Sequence, residues 1–249
     1  MNLPFKFENK TINISVDESY DVESLKKRLH LYTIDEPETI DWIKSFKENS
    51  IFWDIGSNVG GFSFIASMHH QNIKIFSFEP NFINFYCQLK TCKENDIKNI
   101  FTFNLAINDK KEVAYFKYDI LKNGAKGTFG EALKDNLLKS DYSNPFKRGI
   151  NQEILMLGIS LDSLVYEFCL EKPNYIKIDV DGNELLVIKG AKRLLSDNNV
   201  KQIFIEVDDK NYPNREIEIF LKDYSFIVKK DLNVGTLLKP IRMILYSRD

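Results

Sequence analysis

The chain has 249 residues, with 34 basic against 36 acidic side chains for a formal net charge of −2, and is 43% hydrophobic and 28% charged. This is an ordinary soluble globular balance, long enough for one large α/β domain with additions and without the basic surplus of a broad nucleic-acid footprint. The three cysteines, Cys87, Cys92 and Cys169, are too few and scattered for a disulfide framework or zinc site and fit reduced thiols in a cytoplasmic protein; no signal core follows Met1, and no stretch nears the roughly 20 apolar residues of a membrane span.

In chain order, residues 1–20 read as a strand pair, with Ile12, Ile14 and Val16 alternating with polar neighbours. Residues 22–49 read as two helices broken near Asp35-Glu36-Pro37-Glu38, because Pro37 suits a first helical turn and the acids beside it favour the helix dipole. Residues 1–50 are thus expected to form an extension packed on a main domain of residues 51–249. That domain opens with an apolar run, 51–55, ending in a carboxylate and glycines. A buried helix over 62–68, a strand over 73–78, a helix over 82–93 and a strand over 99–107 follow. An extra strand is expected at 113–118, a helix at 159–169, a strand at 175–182, one helix at 184–195, a strand at 202–209 and a helix at 215–222. Segments 226–229 and 243–246 suit a closing antiparallel pair. The alternation predicts an α/β fold, a doubly wound, mostly parallel sheet with helices on both faces. Residues 121–153, rich in Gly, Lys, Asn and Ser, interrupt it as a long irregular insertion of the kind that carries function.

In such a sheet, ligands bind at the carboxyl ends of the strands. Asp54-Ile55-Gly56-Ser57-Asn58-Val59-Gly60-Gly61 lies at the first of these ends, and Glu79, 19 residues after Gly60, at the next. A glycine loop alone is equally a plain strand-to-helix turn. Joined to a carboxylate that can reach ribose hydroxyls, it is a nucleoside site. Dinucleotide loops favour glycine where Asn58 stands, and Asp54 would repel a pyrophosphate. An acid there matches a ligand with a cationic amino group, such as S-adenosylmethionine. No phosphate-binding G-x-x-x-x-G-K-[ST] loop occurs.

These blocks resemble the class I S-adenosylmethionine-dependent methyltransferases, and within them the FkbM family. Phe52–Gly60 is similar to the family's first motif, Phe78-Glu79-Pro80-Asn81 to its second and Asn104-Leu105-Ala106-Ile107 to its adenine-side motif. Ile176-Lys177-Ile178-Asp179-Val180-Asp181-Gly182-Asn183-Glu184-Leu185 is similar to its K-I-D-V-E-G-x-E block, with Asp181 for the usual Glu and Asn183 for a commonly small residue. The resemblance implies a Rossmann-like methyltransferase fold. It also implies a donor held by Asp54, Gly56, Asn58 and Gly60 at the methionine end, by Glu79 at the ribose, and by Asn104 and Ala106 at adenine. Glu38, ahead of the first strand, is a further candidate.

Methyl transfer needs chiefly alignment of acceptor and methyl, about 3–3.5 Å apart, and a base where the acceptor is a hydroxyl. His30, His69 and His70 fall away from the expected cleft. Asp179 and Asp181 share the parity of Lys177 along their strand, so either acid is a candidate base or acceptor contact, with Lys177 neutralising a neighbouring acid. A structural ion-pair network reads the same residues without chemistry. Glu206 and Asp208 leave the adjacent strand and, with Asp179 and Asp181, offer an oxygen-rich Mg²⁺ or Mn²⁺ site. No compact metal motif accompanies them, and a metal-free reaction is the simpler expectation.

The resemblance implies O-methylation of a small molecule, a sugar or nucleotide-linked sugar in surface-glycan biosynthesis. The absence of N-P-P-Y or D-P-P-Y after a strand argues against nucleic-acid bases as acceptors. Residues 121–153 are the expected acceptor lid, with Lys126, Lys147 and Arg148 for phosphates and Phe129, Tyr142 and Phe146 for stacking or for anchoring the loop. A nicotinamide-dependent oxidoreductase and a donor-binding protein without catalysis are the alternatives.

Overall fold

The computed structural model describes residues 2–16, 22–34, 36–119, 127–129, 151–212, 215–234 and 241–248. In chain order the elements are β1 (Asn2–Phe7), β2 (Lys10–Ser15), α1 (Val22–Ile34), α2 (Pro37–Lys44), β3 (Ile51–Ile55), α3 (Gly61–His69), β4 (Lys74–Phe78), α4 (Phe82–Glu94), β5 (Ile100–Phe103) and β6 (Ala106–Ile107). There follow β7 (Glu112–Asp119), β8 (Gly127–Phe129), β9 (Asn151–Ile159), α5 (Leu161–Tyr166), β10 (Tyr175–Ile178), α6 (Glu184–Lys189) and α7 (Lys192–Leu195). The chain closes with β11 (Gln202–Asp208), α8 (Glu216–Lys222), β12 (Ile227–Asn233) and β13 (Ile241–Ser247).

Seven strands form the central sheet in the order β12-β13-β11-β10-β3-β4-β5. The five strands from β11 to β5 run parallel, and β13 pairs antiparallel with both β11 and β12. Between β3 and β10 the strand order reverses, which opens a crevice at their carboxyl ends. Strands covered on both faces read as continuous apolar runs, and Phe52 and Trp53 of β3 are both fully buried, on opposite faces. One face is covered by α1 to α4 with the β1–β2 hairpin, the other by α5 to α8. A second sheet, β6-β9-β7-β8, stands beside the crevice and buries Phe116, Phe129 and Met156.

Four sequence expectations need correction. The strand expected over 99–107 is two strands in different sheets. It breaks at Asn104, whose Nδ2 donates to the carbonyls of Glu79 and Pro80, both at 2.9 Å. Residue 159 ends a strand instead of starting a helix; α5 begins only at Leu161, capped by Ser160 Oγ accepting from Ser163 N at 3.1 Å. The helix expected over 184–195 breaks at Gly190, where the Asn108 carbonyl comes so near that a Cβ would lie 2.4 Å from it. Strand β10 stops at Ile178, so Asp179 and Asp181 do not follow strand parity; Asp181 takes a left-handed φ of 54° in a turn. Of the irregular insertion, 127–129 and 151–153 belong to strands. Lys126, Tyr142, Phe146, Lys147 and Arg148 lie outside the described residues.

Candidate donor and acceptor cleft

Chain geometry at the end of β3 is set by a close approach. Gly56 turns out of the strand with φ +77°, and a Cβ on it would lie 1.9 Å from the Asp179 carbonyl oxygen. Only glycine lets the exits of β3 and β10 pass at this distance. The Gly56 and Ser57 amides donate to the Phe78 carbonyl at 2.9 and 3.1 Å, which ties the loop to β4. Asn58 is left-handed, φ 54°, a conformation asparagine tolerates. Gly60 N closes the loop on the Ser57 carbonyl at 2.9 Å.

Glu79 faces this loop from the end of β4. Its Oε2 accepts the Asn58 amide at 2.7 Å and its Oε1 the Asn81 amide at 2.8 Å. Burial pushes its carboxyl up to about 7, against the lowering effect of those amides. A carboxylate so placed can accept from the paired hydroxyls of a ribose.

Beneath the loop runs a polar row across the sheet. Register pairs Lys177 with Asp54, Asp54 with Ser77, and Ser77 with Thr102. Three members of the row, Asp54, Ser77 and Lys177, link to the loop or the elements beside it. Asp54 Oδ2 accepts from Ser63 Oγ at 2.7 Å on α3. Ser77 Oγ donates to Gln88 Oε1 at 2.6 Å, and Gln88 Nε2 donates to Ser57 Oγ at 2.8 Å and the Asn58 carbonyl at 2.5 Å. Lys177 Nζ donates to Asp179 Oδ2 at 3.0 Å. Burial alone would depress this lysine; the carboxylates of Asp179, Asp54 and Glu36 outweigh it and hold the ammonium above the ordinary lysine range. These contacts favour the charged form of Lys177, as expected of a lysine that neutralises neighbouring acids.

The cleft above encloses about 530 Å³ with its solvent-open mouth. Gly56, Asn58, Glu79, Ala106, Asp179 and Asp181 line it, so the structure brings these expected residues together. Asp54, Gly60, Asn104 and Lys177 are not in its wall; they support it from behind. The three histidines stand elsewhere: His70 bonds the Ile43 carbonyl and Glu48, His69 meets Glu8, and His30 lines a groove beside β1. Glu38 sits in the first turn of α2, whereas its neighbour Glu36 is the acid that acts on Lys177.

Phe116 and Phe129 of the second sheet close the cleft's far side. Asn183, the departure in the fourth block, donates through Nδ2 to the Phe129 carbonyl at 2.7 Å and so ties β8 to the turn after β10. Glu184 and Tyr212 brace that turn, Oε1 accepting the Gly182 amide at 2.9 Å and the Tyr212 hydroxyl donating to the Gly182 carbonyl at 2.7 Å. Phe129 is one of the aromatic residues expected of the lid and Asn183 a departure within the fourth block, whereas Gln88 and Phe116 carry no short-range sequence signal. Their roles depend on which elements the fold brings together. Asp179, Asp181 and Glu206 can place carboxylate oxygens within 4.8 Å of one another. Asp208 is turned to its own loop, accepting the Lys210 amide at 2.9 Å.

The profile of the methyltransferase FkbM domain matches residues 54–228, well over half of the chain. The chain belongs to the FkbM family of S-adenosylmethionine-dependent methyltransferases. It is also similar to the hexuronic acid methyltransferase AglP of Haloferax volcanii, 24% identical over 202 residues that cover 77% of this chain and 74% of that one. Among solved structures, the magnesium protoporphyrin IX methyltransferase of Synechocystis superposes with a TM-score of 0.52 at 10% identity, over 94% of this chain and 87% of that one. A ribosomal-protein methylase of Lactobacillus delbrueckii does so at 0.50 and 12%, over 88% and 79%. These likenesses show the Rossmann-like fold. Family membership makes the chain a methyltransferase and sets aside the nicotinamide oxidoreductase. No helix among the described residues is long and apolar enough to cross a membrane.

Proposed function

We propose that this enzyme methylates a hydroxyl of a sugar, a hexuronic acid or a nucleotide-linked sugar of a surface glycan. The observation that carries the reading is that one cleft is lined by Glu79, from the end of β4, and by Asp179 and Asp181, from the end of β10. The residues fit the donor. Glu79 takes the ribose hydroxyls, Gly56 and Asn58 pass beneath the methionine portion, and Ala106 with Leu105 flanks adenine. Asp54 Oδ1 lies buried below the loop without a hydrogen-bond partner among the described residues. Bound there, the donor supplies an electrophilic methyl group on a sulfonium.

The acceptor enters past Phe116 and Phe129 and meets the acidic side. Asp181 lines the cleft on the acidic side, and it is the base we assign, taking the hydroxyl proton as the oxygen–methyl bond forms and the methyl–sulfur bond breaks. Asp179, Asp181 and Glu206 would repel an anionic carboxylate as nucleophile, which favours a neutral hydroxyl over the uronate carboxyl. The similarity to a hexuronic acid methyltransferase supports the sugar class.

Incubation with methyl-labelled donor and a panel of uronic acids, nucleotide-linked uronic acids and neutral nucleotide sugars tests this. An alkali-stable methyl ether on a sugar is expected. An alkali-labile methyl ester would move the acceptor atom to the carboxyl, and no incorporation across the panel would remove the sugar class.

A further inference from the structure

The turn after β10 brings two polar side chains to the cleft wall with one glycine between them. Asp181 and Asn183 both line the cleft, and Gly182 takes a φ of +108°. The turn is braced at that glycine, whose amide donates to Glu184 Oε1 at 2.9 Å and whose carbonyl accepts from the Tyr212 hydroxyl at 2.7 Å. Asn183 stands at the N-cap position of α6, yet its side chain makes no capping hydrogen bond. Its Nδ2 donates instead to the Phe129 carbonyl at 2.7 Å. That partner is itself seated. The Phe129 ring lies so close to Gly158 that a Cβ there would be 2.5 Å from it, and Phe129 pairs with Phe116 across the β7–β8 ladder. Turning the carboxamide over would set Oδ1 against the Phe129 carbonyl, oxygen against oxygen, so its orientation is fixed. Oδ1 is then the polar atom that Asn183 has left for a ligand. It has no partner among the described residues and is not one of the sealed polar atoms.

We propose that Asn183 selects the acceptor, its Oδ1 accepting a hydrogen bond from a second hydroxyl of the molecule, next to the hydroxyl that Asp181 deprotonates. The proposal rests on the reading of the acceptor as a sugar. With Nδ2 taken up by Phe129, the polar side chains of this wall offer the cleft oxygens only: the carboxylates of Asp179 and Asp181 and the amide oxygen of Asn183. A ligand must bring the donors, and neighbouring hydroxyls on one ring do so. Asp181 and Asn183 are one residue apart in a braced turn, so a single ring can meet both. A site built to accept from a hydroxyl rejects an analogue that lacks it, because the oxygen is left unpaired once water is excluded. The same position is where the fourth block departs from a commonly small residue, and a small side chain would make neither contact. Asn183 thus reads a vicinal diol.

The test takes the sugar of the acceptor panel that accepts methyl, with its monodeoxy analogues, and measures kcat/KM for each on the full chain. In wild type, replacing the hydroxyl beside the methylated one by hydrogen is expected to lower kcat/KM at least about tenfold. Asn183→Ala should bring the parent sugar down to the level of that analogue, so the preference disappears. Asn183→Asp keeps an acceptor oxygen and loses the bond to the Phe129 carbonyl, so both sugars should slow while the preference stays. An Asn183→Ala enzyme that keeps the wild-type preference overturns the proposal, whether or not both rates fall, and marks Asn183 as a tie to β8 alone. Wild type that methylates the neighbouring-deoxy analogues as fast as the parent overturns it too and leaves the sugar reading standing. No methyl uptake across the panel removes that reading and this proposal with it.

Discussion

Lys177 stands directly across the β10–β3 ladder from Asp54, and its ammonium reaches Asp179 two residues further along its own chain. One buried cation thus holds together the end of β10, the end of β3 and the loop between cleft and core. Removing one partner of a buried charge group leaves the rest uncompensated, at a cost of about 3–5 kcal/mol.

Lys177→Met is therefore expected to destabilise the fold by about 3 kcal/mol or more, read by denaturant unfolding. The sign with pH follows from the acids left behind. Burial already raises Asp54 and Glu36, so folding favours their protonated forms, and stability falls as pH rises. The loss in Lys177→Met should be larger at pH 8 than at pH 5. An equal loss at both would show that Lys177 acts by packing alone.

Donor binding is expected to tighten as pH rises through about 7, the value to which burial lifts Glu79. Ribose hydroxyls donate to the ionised carboxylate, so below that value each donor must bind against a proton, at up to about tenfold per pH unit. Without donor the sign reverses. The unfolded carboxyl ionises near about 4.3, so unliganded stability falls between there and about 7. Donor titrations from pH 5.5 to 8.5 check this, and Glu79→Gln should bind weakly with a flat profile.

Gly56→Ala is expected to abolish donor binding. The new Cβ meets the Asp179 carbonyl at 1.9 Å in a backbone conformation that costs about 1–3 kcal/mol for a side-chain-bearing residue. A melting curve and a donor titration on the same sample separate lost binding from lost fold.

Turnover is expected to survive chelation. Asp179, Asp181 and Glu206 form an acidic group, but Lys177 already supplies a cation to Asp179 at 3.0 Å. Assay in excess EDTA, followed by Mg²⁺ or Mn²⁺ addition, checks it. Loss restored by either ion would make the three acids metal ligands.

The donor side was legible because it is local. Asp54 to Gly61 and Glu79 sit within 26 residues, and their spacing carries the loop, the strand end and the acid. The second sheet was hidden because β9 has no one-sided alternation. Met156 is buried and Ile154 half-buried, while Leu155 and Leu157 are apolar and exposed. Helix continuity failed at Gly190 for a tertiary reason, the approach of Asn108 from the other end of the domain. Glu36 and Glu38 are indistinguishable in sequence; the helix start at Pro37 decides which one faces Lys177.

The division of the cleft into a donor grip and an acceptor base is tested most directly by Asp181→Asn, measured for both donor affinity and single-turnover methyl transfer. Donor affinity should stay within about threefold of wild type while transfer falls at least about a hundredfold, the usual contribution of a positioned base. Wild-type transfer from a folded Asp181→Asn enzyme, and again from Asp179→Asn, would contradict the assignment of these acids to the reaction.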